Sequence, residues 1–307
     1  MKKANKTTEG RHATSQLFNF APESYLERTS RPISAIAFLL PFIVFYELGT
    51  FCINTDVLNR SQIRVVAFVW LQNLLESLGF GGKLAWVAPP LAVVVILMAL
   101  QITSGKRWHF WFGDILPMAV ECILLAVPLI VLTLFLSSSS GSPGHVSGWD
   151  DGSLGGKRAS PPACASVDRG SVLPPADEAG AGPSSRSRLA NVVTGIGAGI
   201  YEELVFRLIL ICLLMLLFQD ALRLGHNGSI ALSVAISAAL FSAHHHIDFF
   251  SGQPNAIDPF DFTRFAFRTI AGVYFSALFA IRGFGITAGT HASYNIIAVS
   301  ITARFFP

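Results

Sequence analysis

The chain has 307 residues, 52% of them hydrophobic and only 13% charged, with a formal net charge of +3. Soluble domains carry about 25% charged residues, so this deficit and a mean hydropathy of +0.54 argue against a soluble enzyme and for a polytopic membrane protein. No basic face with interleaved aromatics is present, which leaves nucleic-acid binding without support.

Residues 1–30 are polar and begin with a basic cluster (Lys2, Lys3, Lys6, Arg11), expected as a mobile arm. The first apolar stretch starts only near Ile33 and is long enough to span, so it reads as a retained anchor rather than a cleaved signal. Apolar segments follow at 33–53, 84–102, 115–136, 189–218, 229–247, 264–281 and 284–303, each close to the roughly 20 residues that cross a bilayer as a helix. A weaker stretch, 63–80, contains Gln72, Asn73 and Glu76 and reads as an interior or interfacial helix. The expected fold is an all-α polytopic bundle in the cell membrane with seven or eight spans, eight being preferred. Prolines 41, 89, 90, 117 and 128 lie in or at the edges of early segments and read as tolerated kinks. The basic N-terminus favours an inside start, but Lys106 and Arg107 change sides with the span count, so charge does not fix the topology.

Residues 137–187 open with Ser137-Ser138-Ser139-Ser140-Gly141 and stay rich in Gly, Ser, Pro and Ala. Such a composition buries too little apolar surface to offset its ordering entropy. It divides the chain into an N-terminal membrane half (31–136), a low-complexity linker (137–187) and a C-terminal membrane domain (188–307). The four cysteines (52, 122, 164, 212) have neither zinc-type nor disulfide-type spacing, and are expected as small buried hydrophobes.

The chemistry concentrates in the C-terminal part. Tyr201-Glu202-Glu203-Leu204-Val205-Phe206-Arg207 lies inside an apolar segment, where each ionisable residue costs at least about 2.5–3.5 kcal/mol. On a helix Glu203 and Arg207 share a face and can pair, with the acid on the favourable N-terminal side. Glu202 points elsewhere and is left to face a polar cavity, where partial desolvation makes a carboxylate a better base. A buried Glu–Arg network that only fixes packing explains this motif equally well when it is taken alone.

Two downstream segments supply partners. Phe241 and His245 share a face within Phe241-Ser242-Ala243-His244-His245-His246. The flanking His244 and His246 are expected to bond a carbonyl or lie at the water interface, and neighbouring helix positions diverge too much to ligate one ion by themselves. His291 and Asn295 are four apart, a donor pair suited to an oxyanion or, alternatively, an interhelical clamp. Glu47, Glu121 and Arg268 stand outside these motifs. Glu47 is expected near headgroups, Glu121 as a hydrogen-bonded acid in the bundle, and Arg268 as a snorkelling side chain.

The order Glu-Glu-x-x-x-Arg, Phe-x-x-x-His, His-x-x-x-Asn on successive apolar segments resembles the CAAX prenyl protease and bacteriocin-processing family of intramembrane endopeptidases, over about residues 188–303. The resemblance implies peptide-bond hydrolysis in the membrane. Glu202 and His245 would activate a water, His291 and Asn295 would stabilise the oxyanion, and Glu203, Arg207 and Phe241 would structure the site. It also carries a metal-dependent alternative, in which Glu202, His245 and His291 hold a zinc-like ion; the absence of a compact HExxH favours the metal-free form, with no cofactor. The implied partners are the lipid bilayer and a peptide or protein substrate entering from the membrane or its interface. The competing readings are a proton- or ion-coupled transporter using the same Glu and His as a relay, for which no repeat between the halves is visible, and a catalytically silent member of the fold.

Overall fold

The computed structural model describes residues 21, 23–54, 66–79, 87–139, 185–247, 249 and 259–305. These form an all-α bundle with no strand among the described residues. Its helices are α1 (Tyr25–Thr29), α2 (Pro32–Asn54), α3 (Val66–Ser77), α4 (Ala88–Ser104), α5 (Ile115–Ser139), α6 (Ser185–Glu203), α7 (Ile211–Met215), α8 (His226–His246), α9 (Phe262–Arg282) and α10 (Phe284–Phe305). Each expected apolar segment is helical over most of its described residues, and five runs among them are long and apolar enough to cross a membrane: Pro32–Ile53, Phe112–Leu136, Leu189–Ala221, His226–His246 and Phe262–Arg282. Ala88–Ser104 is a shorter apolar helix. Among the described residues five runs thus have the length and composition of a span, and the preferred count of eight is not shown.

Local chemistry sets the helix limits. Pro89 and Pro90 open α4, where an amide N–H has no intrahelical partner to lose. Gly105 ends it at φ 62°, a left-handed position. Asp261 caps α9 through its carboxylate, which accepts from the Arg264 N–H at 2.9 Å. A single residue, Gly283 at φ 78°, separates α9 from α10; a side chain there would be strained, and the turn sends α10 back through the bundle.

α10 is the central element, packed against α6, α5, α2 and α9, while α8 pairs with α9 and α2 pairs with α6 and α4. The larger apolar core joins Phe38, Leu39, Tyr46 and Phe68 of the N-terminal half to Ile200, Tyr201, Leu204 and Ile286 of the C-terminal part. A smaller one joins Ala126 and Leu129 of α5 to Phe267, Phe275 and Tyr294.

The last part of the expected mobile arm, residues 23–30, is packed. Arg28 makes two hydrogen bonds to Asp114, at 3.0 and 2.9 Å. Arg31 donates to Glu27, which holds the Glu27 carboxyl below its usual range. Arg282, at the end of α9, donates to both carboxylate oxygens of Glu121, to Leu26 O and to Thr29, and Tyr25 donates to Glu121 at 2.7 Å. Glu121 is thus an ion-pair acceptor fastening α1, α5 and α9 together. Residues 1–20 and 140–184 lie outside the described residues, and with them most of the expected linker; α5 runs to Ser139 and α6 starts at Ser185. Cys122 is buried as expected, whereas Cys52 and Cys212 are exposed. Cys164 lies outside the described residues.

Candidate active site

Glu202 and Glu203 are the last two residues of α6 before the helix widens. Leu204–Leu210 and Leu216–Ala221 are wound as π-helix, a geometry that is rare and concentrated at functional sites. Widening leaves carbonyls short of partners, and Ser237 of α8 supplies one by donating to Phe206 O at 2.7 Å.

Glu202, Glu203, Arg207 and His291 are all buried. Arg207 Nε lies 3.1 Å from Glu203 Oε2, close enough for charge pairing but off the line for a hydrogen bond. Its Nη2 donates to Gly272 O on α9 at 3.4 Å, and its guanidinium lies over the Phe241 ring, 4.1 Å from the centroid. Phe241 therefore supports the cation through its π face. The sequence pairing of Glu203 with Arg207 is present, and α9 completes the cage.

The other Glu203 oxygen, Oε1, accepts from His291 Nδ1 at 2.7 Å. That bond places the imidazole proton on Nδ1 and leaves Nε2 3.8 Å from Glu202 Oε2. The ring stacks on Phe275 at 4.5 Å and 17°. Asn295, one turn further along α10, donates to Gly195 O at 3.3 Å, on α6 two turns before Glu202. One of its two amide hydrogens is spent there.

Of the histidine run, His245 is half-buried and places a ring nitrogen within 4.8 Å of both Glu202 and His244. His244 is buried, its Nδ1 donates to Phe241 O, and its Nε2 lies 3.7 Å from Glu202 Oε1. Spacing on an ideal helix did not single out His244; the signal available was only the run itself. His246 accepts from Arg268 Nη1 at 3.3 Å, and both are buried, so Arg268 does not snorkel and His246 is not at a water interface. Glu47 accepts from Tyr201 at 3.2 Å instead of only facing headgroups.

Two carboxylates and one guanidinium in a buried cluster carry a net negative charge, and low dielectric makes an uncompensated charge costly. A proton held on one of the imidazoles, or a cation between them, restores the balance. Glu202, His244 and His245 each offer a ligand atom, and these atoms all lie within 4.8 Å of one another, wider than the roughly 3.3 Å between donors of a tetrahedral zinc site, so this trio would hold an ion after closing around it. The outward bond of His244 to the Phe241 carbonyl is a support that ligating histidines use.

Residues 185–297 match the family described as Rce1-like, type II CAAX prenyl endopeptidase Rce1-like. Over that stretch the chain is similar to the Rce1-like family. This agrees with the expected membership in the CAAX prenyl protease and bacteriocin-processing family, and the Rce1-like segment holds Glu202, Glu203, Arg207, the histidine run, His291 and Asn295. No curated protein and no solved structure matches the chain at a significant level. The N-terminal half lies outside the Rce1-like match yet lines the site: Trp70 of α3 meets the His244 ring at 5.7 Å and Phe206 at 6.2 Å.

Proposed function

We propose that the protein is an intramembrane endopeptidase that cleaves near the C-terminus of a CAAX-type peptide, using water activated by Glu202. The observation that carries this is the buried meeting of Glu202 with imidazole nitrogens from α8 and α10, at 3.7 and 3.8 Å, inside the Rce1-like segment.

Glu202 accepts a proton from the water as its oxygen bonds to the scissile carbonyl carbon, with His245 alongside to hold the water. A developing oxyanion needs donors already aimed at it. His291 in its protonated form presents Nε2–H while Nδ1–H stays on Glu203, and the second amide hydrogen of Asn295 adds to it. Glu203 and Arg207 set the orientation of His291, and Phe241 supports Arg207. Glu202 then returns its proton to the leaving amine as the C–N bond breaks.

The donor cluster gives one second reading. A zinc-like ion held by Glu202, His244 and His245 would supply a water that deprotonates near neutral pH.

The test is cleavage of quenched peptides ending in Cys-aliphatic-aliphatic-X, with and without a farnesyl group, by the full-length protein in detergent. Glu202→Gln is expected to lose at least about 100-fold in kcat. Full activity in that variant overturns the assignment and returns the site to a relay or a silent fold. Insensitivity to a strong chelator is expected; loss of activity restored by zinc replaces the metal-free mechanism with the metal-dependent one.

A further inference from the structure

The last turn of α8 and the first two turns of α9 hold a second buried guanidinium, apart from Arg207. Arg268 Nη1 donates to His246 Nε2 at 3.3 Å. A guanidinium has only hydrogens to give, so the imidazole accepts at Nε2, carries its proton on Nδ1 and is neutral. The bond aims the guanidinium and leaves its charge intact. The Phe260 and Phe265 rings flank His246 at 5.4 and 6.3 Å. Ser242 Oγ donates to Phe265 O at 2.7 Å, which ties this end of α8 to α9.

Arg268 belongs to the cleft. Its charge acts on His245 of α8 and on Tyr294 of α10, and His245 has a ring nitrogen within 4.8 Å of Glu202. Arg268 is 7% exposed, against 2% for Glu202 and 4% for His291, so it is no more enclosed than the residues that must meet substrate. α9 sets the distance. Phe275 stacks on the His291 ring at 4.5 Å. Arg268 lies seven residues before Phe275, about 10 Å along the helix. An extended peptide covers about 3.3–3.6 Å per residue, so about three residues span the same length.

We propose that Arg268, aimed by His246, binds the terminal carboxylate of the peptide substrate and so fixes which bond reaches Glu202; this rests on the endopeptidase reading. A carboxylate can take two parallel N–H groups of a guanidinium at once, and in a low-dielectric cleft that contact is stronger than in water. A peptide held there by its C-terminus presents to Glu202 the bond about three residues in. A carboxamide at the same end keeps the shape, loses the charge and turns hydrogens toward the hydrogens of Arg268.

The experiment uses the full-length protein in detergent with matched peptides ending in a free carboxylate or a carboxamide. It compares wild type, Arg268→Gln, Arg268→Lys and the exposed Arg223→Gln, with thermal unfolding of each. Wild type and Arg223→Gln are expected to show a KM about 10–100-fold higher for the amide, the range of a charged hydrogen bond, with kcat within a few-fold. Arg268→Gln is expected to raise KM for the acid to that for the amide at a wild-type unfolding temperature, and Arg268→Lys to keep part of the preference. Cleavage of both peptides by wild type with equal KM overturns the anchor and leaves the endopeptidase standing. An undiminished preference for the acid in folded Arg268→Gln does the same, as does a loss in that variant falling equally on acid and amide. Failure of both Arg268 variants to fold makes the residue a packing cation and overturns the proposal. No cleavage of either peptide by wild type removes the endopeptidase reading and this site with it.

Discussion

Arg207 is the side chain on which the site's electrostatics turn. It is fully buried, and its Nε and Nη1 have no hydrogen-bond partner among the described residues, so apart from the Nη2 bond to Gly272 O it is held by charge and by a ring face. Removing one member of a buried ion pair leaves the other charge unpaired, at a cost of about 3–5 kcal/mol. Arg207→Ala is therefore expected to lower stability by that amount, read from thermal or denaturant unfolding in detergent. Arg207→Lys is expected to recover less than half of it, because an ammonium replaces neither the planar contact with Phe241 nor the reach to Gly272 O. Near-wild-type stability in Arg207→Lys would mean that charge alone matters there. The sequence made the Glu203–Arg207 pair legible because i, i+4 spacing survives the wider winding. It did not reveal His244, because which of three adjacent imidazoles turns inward depends on a side-chain bond to Phe241 O and on Phe206 and Trp70, which come from other helices.

Close helix packing brings these side chains together. Gly199, three residues before Glu202, lies where α6 crosses α10; a Cβ there would fall 2.5 Å from Ala292 N and 2.8 Å from Ala288 O. Those atoms are backbone, so the helices must part. Gly199→Ala is expected to cost about 1–3 kcal/mol and to lower kcat more than tenfold by moving His291 away from Glu202. Gly228→Ala, where nothing lies within 4 Å, is expected to leave stability unchanged or raise it by up to about 1 kcal/mol. Equal effects from the two would separate close approach from the site's geometry. Helix positions were readable from hydropathy, since α2, α5, α6, α8 and α9 follow the apolar segments. Their span status was not. α10 carries Thr287, Thr290, His291 and Asn295 against its neighbours, so its polarity reflects the site, and its central place is a property of packing. The π-helical stretches were equally hidden, because an apolar run has the same composition in either winding.

The Rce1-like match ends at the C-terminal part, but the folded unit does not. Tyr46 and Phe68 pack on Tyr201, with ring centroids 5.4 and 4.9 Å away, and Tyr201 immediately precedes Glu202. Trp70 covers His244 from α3, and α5 packs along α10. Residues 185–307 alone would expose this apolar core and leave Glu202 and His244 without the wall that excludes water, which weakens electrostatic stabilisation in the site. That fragment is accordingly expected to show less than about 1% of full-length cleavage. Co-expression with residues 1–139 is expected to restore activity and to allow the two pieces to be purified together through a tag on either one, because α2–α6 and α5–α10 packing holds them without the covalent link. Full-rate cleavage by residues 185–307 alone would place the whole active site within the Rce1-like segment and leave α2, α3 and α5 as anchors only.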